Sequence, residues 1–110
     1  MSTITKRELV SRVTSSLLDK GVDITQQDVY EIVKVLMEQI TQSLAEGDQV
    51  VLRNFGNFEV KETKAKVGRN PKNPEIAVII PARAGVKFKP GKEMKEKVAS
   101  SLQLIRERDA

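Results

Sequence analysis

The side chains of this 110-residue chain that could do chemistry are cations, gathered in one span. From Lys61 to Lys92 there are nine Lys or Arg against two acids, a net +7; residues 1 to 60 carry −3 and residues 93 to 110 balance, leaving +4 overall. Such segregation is the footprint of a polyanion binder. Within the span lies Val67-Gly68-Arg69-Asn70-Pro71-Lys72-Asn73-Pro74, where two prolines and a glycine forbid a helix interior or a central strand. A proline at the tip of a cationic arm is a rigid apolar wedge with no N–H to satisfy, and Arg69 beside it suits a narrow groove of negative potential. The run therefore reads as the tip of a cationic arm suited to gripping a polyanion.

Other chemistry is hard to assemble. With no Cys there is no disulfide or thiolate, and with no His there is no zinc site of the usual kind and no His-based triad. Scattered Ser and Thr do not pair with a base, so neither enzymatic activity, nor a metal, nor a cofactor is expected. Charges at Lys6, Arg7, Glu8 and Arg12 interrupt the amino-terminal region, and no long apolar run follows, so a soluble cytoplasmic protein with no membrane partner is expected. The length suits one domain with a modest core. Aromatics make up 4% and Trp is absent, a composition that favours a partner subunit.

The elements that must position the cations follow from periodicity. Ile4-Thr5-Lys6-Arg7-Glu8-Leu9 has a capping Thr, an acid three residues on and a hydrophobic staple, and Leu9, Val10, Val13, Leu17 and Leu18 form a stripe ending near Gly21. The same start recurs at Ile24-Thr25-Gln26-Gln27-Asp28-Val29, implying a helical hairpin. The second helix carries Val29, Ile32, Val33, Leu36, Met37, Ile40 and Leu44 and stops at Gly47. Its wide apolar face is either buried within the chain or packed against a second copy. Val50 and Leu52 then alternate with Val51 and Arg53, a tight turn falls at Asn54 to Asn57, and Phe58 and Val60 alternate with Glu59 and Lys61, which is a hairpin. Gly56 supplies either a positive φ or a close backbone approach, and Phe55 and Phe58 belong to the core. The second strand runs out through Lys61, Lys64 and Lys66 into the arm, and Ile76 to Ile80 return, apolar on both faces. A two-stranded ribbon is marginal alone, so the tip is expected to be mobile without DNA and ordered with it. Pro81 to Gly85 should break the ribbon, Val86 and Phe88 re-enter the core, and Pro90-Gly91 lead into a helix. Met94, Val98, Leu102 and Ile105 extend that helical pattern into the tail.

Three motifs stand in order: Asn54-Phe55-Gly56-Asn57-Phe58-Glu59, Gly68-Arg69-Asn70-Pro71 and Phe88-Lys89-Pro90-Gly91-Lys92. Together they resemble the bacterial HU/integration host factor (IHF) family of histone-like DNA-bending proteins over about residues 5 to 98. The resemblance implies an α+β fold: a helical hairpin, a three-stranded antiparallel sheet with a long β-ribbon arm and a C-terminal helix, in an intertwined dimer. It implies a DNA-binding domain over residues 1–98 with its arm at about 61–80, a helical extension over 99–110, and a nucleoid-associated place in the cell. The partners implied are double-stranded DNA and a second subunit, identical or a paralogue. Binding would run through the minor groove, with Pro71 as the intercalating wedge and the two arms bending the duplex.

Lys6 and Arg7 at one helix start and Lys92 at another put cations beside backbone N–H groups that already favour phosphate. Arg53, Lys61, Lys64, Lys66, Lys72, Arg83, Lys87 and Lys89 extend the contact along ribbon and saddle. Arg69 is the groove contact, and Asn70 shapes the turn more than it reads a base. The sequence departs from the family pattern twice: Asn54 stands where glycine is usual, and Pro74 replaces a glycine in a return segment one residue longer. The latter bears on the turn geometry of the tip and leaves the wedge in place. A competing function is a protein-interaction module whose basic ribbon grips an acidic partner.

Overall fold

The computed structural model describes residues 2–109, in the order α1 (Lys6–Asp19), α2 (Gln26–Ala45), β1 (Val50–Leu52), β2 (Gly56–Thr63), β3 (Lys66–Asn70), β4 (Asn73–Ile80), β5 (Arg83–Pro90), α3 (Lys92–Ala99) and α4 (Leu102–Asp109). The chain parts into two compact units at residues 42/43 and 102/103. One holds α1, most of α2 and α4; the other holds the strands and α3.

In the helical unit the reciprocal box forms at α2 but only its threonine half forms at α1. At α1 the Glu8 N–H donates to Thr5 Oγ1 at 3.3 Å, while the Glu8 carboxylate turns away to Arg12, 3.1 Å off. At α2 the shorter acid closes the reciprocal box: Asp28 N–H donates to Thr25 Oγ1 (3.1 Å) and Thr25 N–H to Asp28 Oδ2 (3.4 Å). Gly21 ends α1 at φ +82°, where the Val22 N–H reaches Leu17 O and the Gly21 N–H reaches Leu18 O. Gly47, in the other unit, ends α2 in the same way at φ +86°, with Asp48 N–H on Ser43 O and Gly47 N–H on Leu44 O. Both helices therefore stop where a left-handed residue without a Cβ can stand.

The core of this unit is small. Val10 and Val29 are each 1% exposed, and Thr14 is buried with its hydroxyl donating to Val10 O at 2.7 Å. The stripe expected along α1 is only partly covered, since Leu9, Val13 and Leu18 remain exposed. On α2 the open face is wider: Ile32 is 58% exposed, and Val35, Leu36 and Met37 accompany it.

In the other unit β1, β2 and β5 form an antiparallel sheet in that order, and β3 and β4 form a separate two-stranded arm. The turn between β1 and β2 occupies residues 53–55, slightly earlier than the sequence suggests. Its left-handed residue is Asn54 (φ 69°), a conformation that Asn tolerates better than most side chains. Gly56 has ordinary φ and serves instead for close approach, buried beneath the Phe88 ring. Phe58 packs at a tilt against Phe88 with centroids 4.9 Å apart, and Phe55 stands 5.8 Å from Phe88. The Gly91 N–H donates to Phe55 O at 2.8 Å, which ties the start of α3 to this turn.

The chain breaks between sheet and arm at residues 64–65 and 81–82 only. Arg83 to Gly85, expected to be part of the break, instead pair with Thr63, Glu62 and Lys61. Pro81 accounts for the interruption, because it has no N–H to give a ladder.

The C-terminal helical pattern is also divided. The Ser100 hydroxyl donates to Lys97 O (2.7 Å) and the Ser101 hydroxyl to Val98 O (2.6 Å). Two adjacent hydroxyls bonded to the preceding turn compete with the helical ladder, so α3 and α4 are separate.

Candidate nucleic-acid interface

The pairing register sorts the sheet into two faces. Phe58, Val60, Phe88 and Val86 share one face with Val50 and Leu52, where Phe58 packs on Phe88 and Val86 is exposed. The other face carries Asn57, Glu59, Lys61 and Thr63 on β2, opposite Lys89, Lys87, Gly85 and Arg83 on β5. Four of the cations singled out from the sequence, Lys61, Arg83, Lys87 and Lys89, thus come together on one side of one sheet. All four are exposed. Among the described residues Arg83 and Lys87 make no ion pair, whereas Lys61 and Lys89 converge on a single carboxylate.

That carboxylate is Glu59. Its Oε2 lies 3.3 Å from Lys89 Nζ and 3.5 Å from Lys61 Nζ, and its Oε1 accepts from Gln49 Nε2 at 3.4 Å. Loss of solvent raises its pKa, but the two ammonium groups, Lys89 foremost, more than offset this and hold it below the usual 4.5. Oε2 is shielded from water with no well-directed hydrogen bond, so its partners are ionic. The sequence contained half of this signal, since Glu59 and Lys61 are two apart in a strand and must share a face. Lys89 and Gln49 join only through the register.

Beyond the break, Lys66 pairs with Ile80, Val67 with Ile79, Gly68 with Val78 and Arg69 with Ala77. Lys61–Gly85 and Lys66–Ile80 are five residues apart on both strands, so the interruption does not slip the register. Within the arm Val67 and Arg69 share one side with Ala77 and Ile79, and Lys66 and Gly68 share the other with Val78 and Ile80; Lys64 lies in the break. The arm is apolar on both faces: Val67, Ile76, Val78 and Ile79 are exposed, Ile79 by 76%.

At the tip Pro71 and Lys72 form the turn between Asn70 and Asn73, which pair. The Lys72 N–H donates to Asn70 Oδ1 at 3.0 Å, an Asx turn that gives Asn70 the turn-shaping geometry. The register shifts between Arg69 and Asn70, leaving Pro74, Glu75 and Ile76 without opposite numbers. Pro74 loses no ladder bond there, and its carbonyl accepts from Arg69 Nη1 at 3.3 Å. Pro71 is exposed at the turn.

The remaining cations stand at helix starts or in the turn. Lys92 is the first residue of α3, whose N-cap Gly91 has no side chain to satisfy the first amides. Arg53 is exposed at the first position of the β1–β2 turn. In the helical unit Lys6 and Arg7 open α1, where Lys6 Nζ lies 4.6 Å from the Tyr30 ring centroid and donates to the Tyr30 hydroxyl at 3.3 Å. Tyr30 is a neighbour that the sequence did not indicate.

An α-helical hairpin, a small antiparallel sheet with one cationic face and a proline-tipped two-stranded arm define a DNA-architectural class of protein. The family described as Bacterial DNA-binding protein matches residues 4–99. A relative named probable DNA-binding protein HU, from Chlamydia trachomatis, is 40% identical over 95 residues, covering 86% of this chain and 90% of the relative. An integration host factor subunit beta, from Marinobacter nauticus, is 40% identical over 100 residues, covering 91% and 97%. An Anabaena HU–DNA cocrystal structure is similar with a TM-score of 0.76 and 37% identity, over 86% of this chain and 97% of that one. The chain belongs to the HU/IHF family of bacterial DNA-binding proteins.

Proposed function

We infer that this chain is a non-catalytic architectural protein that binds duplex DNA through the minor groove as a dimer and bends it, shaping or condensing the bacterial chromosome in the nucleoid. The observation that carries this is the cationic face of the sheet, Lys61, Arg83, Lys87 and Lys89, which leads into a two-stranded arm bearing Arg69 and an exposed Pro71 at its tip. The sheet face, with Arg53, Lys64, Lys66, Lys72, Lys92, Lys6 and Arg7, meets phosphates. Arg69 and Asn70 enter the minor groove, and Pro71 wedges between base pairs. Unstacking costs a few kcal/mol and is offset by phosphate contacts along the bent flanks.

Residues 1–98 serve as the DNA-binding domain, with the arm at about 61–80, and 99–110 as a helical extension. The second subunit, a copy of this chain or a paralogue, covers the apolar face left open on α2 and brings the second arm. Among the described residues no helix is long and apolar enough to cross a membrane.

Energy transfer between the ends of a short labelled duplex tests the function at two salt concentrations. The wild type is expected to shorten the distance, and Pro71→Ala to bind with a smaller bend. If both bind and neither bends, the arm is an electrostatic grip, and a module for an acidic protein partner becomes the better account.

A further inference from the structure

Among the described residues Glu59 is the only acid that the pairing register places on the cationic face of the sheet. Its side chain is 19% exposed, against 53% for Lys61 and 48% for Lys89, the two that converge on its Oε2. A phosphodiester oxygen has the same unit charge and accepts from the same ammonium donors. We propose that Glu59 is a resident counter-anion of the DNA-binding face, holding Lys61 and Lys89 in the free protein as a backbone phosphate would, so that DNA must compete with it for both. This rests on the DNA-binding function above.

The charge count sets the consequence. Two lysines and one carboxylate present a net +1 to DNA where the lysines alone would present +2. Glu59 therefore lowers the number of phosphates each chain neutralises by about one, and with it the dependence of binding on salt. A phosphate arriving at Lys61 and Lys89 leaves the carboxylate without its cations and beside another anion, an environment that favours its protonation. The charged groups that face it are Lys61 on its own strand and Lys87 and Lys89 on β5; from the β1 side comes the uncharged amide of Gln49. No second carboxyl belongs to this cluster among the described residues. Binding by the wild type is thus linked to proton uptake at Glu59 as the pH falls towards the carboxylate range.

The test measures binding of a duplex by wild type, Glu59→Gln and Glu62→Gln across a salt series. Glu62 lies on the same strand with the opposite parity, so its substitution changes net charge equally without touching the cluster. Glu59→Gln keeps the side-chain shape. Its salt slope is expected to steepen by about 0.9 per chain, and its affinity at low salt to rise about tenfold for a dimer, with a clearly smaller change for Glu62→Gln. Lowering the pH from about 7.5 towards the carboxylate range should narrow the gap between wild type and Glu59→Gln. Should Glu59→Gln fail to fold by circular dichroism, Glu59→Ser carries the same measurements. Wild-type slope and affinity in the Glu59 variant, or an equal gain from Glu62→Gln, overturns the proposal while leaving DNA binding intact. Failure of the wild type to bind any duplex overturns both.

Discussion

A hydrogen's worth of space decides Gly56. A Cβ there would stand 2.5 Å from Phe88 Cζ and 2.8 Å from Lys89 O, the second of which is backbone and cannot swing aside. Gly56→Ala is expected to destabilise the fold by about 1–3 kcal/mol, read as a lower denaturant midpoint. At Glu59 the effect is on pH. Its folded pKa lies below 4.5, so its contribution to stability is complete above that value and is lost as the pH falls through the lowered one. Acid unfolding of Glu59→Gln should therefore show a flatter limb below about pH 4.5 than the wild type. Local chemistry of this kind was legible in the sequence where partners are three or four residues apart, as in the Thr25–Asp28 box, or at Asn54 with its tolerance of positive φ. It was hidden where partners meet across a ladder. Nothing in the order of residues brings Lys89 to Glu59 until the pairing of β2 with β5 is fixed.

Among the elements, the arm and the C-terminal helices differ in how plainly they were written. Alternation, prolines and a basic run announced the ribbon, and β3 and β4 lie within it. The two helices were obscured because Met94, Val98, Leu102 and Ile105 continue one period straight through the serines that divide them. A period reports which side of a helix is apolar, not whether its backbone bonds persist. The arm has only two strands and exposed apolar side chains on both faces, so little burial opposes its opening. Its amides are expected to exchange faster than those of β2 and β5 in the free protein and to slow on addition of duplex. Strong protection of the tip without DNA would contradict this.

For the whole molecule, the apolar surface left open is the main energetic fact. Ile32, Leu36 and Met37 of the helical unit and, separately, Phe55 of the other unit are large side chains in water, whereas among the described residues the fully buried aliphatic core is Val10 and Val29. The wide stripe of α2 pointed to this, but the sequence left its covering open between this chain and a second copy. If a second subunit covers the open face of α2, stability depends on protomer concentration. The melting temperature is expected to rise with protein concentration, and sedimentation to give a dimer; a monomer with a concentration-independent midpoint would remove the second arm. One feature of the arm also governs how it could change in length. Because the break at residues 64–65 and 81–82 takes the same number of residues from each strand, partners in the arm can be counted from those in the sheet. Removing one opposed pair between Lys66 and Arg69 would shorten the reach by about 3.4 Å and bring Arg69 to the side of Lys66, whereas removing two pairs would shorten it by about 7 Å and return it to the opposite side. The arm can therefore be shortened with its cations kept on both sides only in even steps, and odd changes gather them on one.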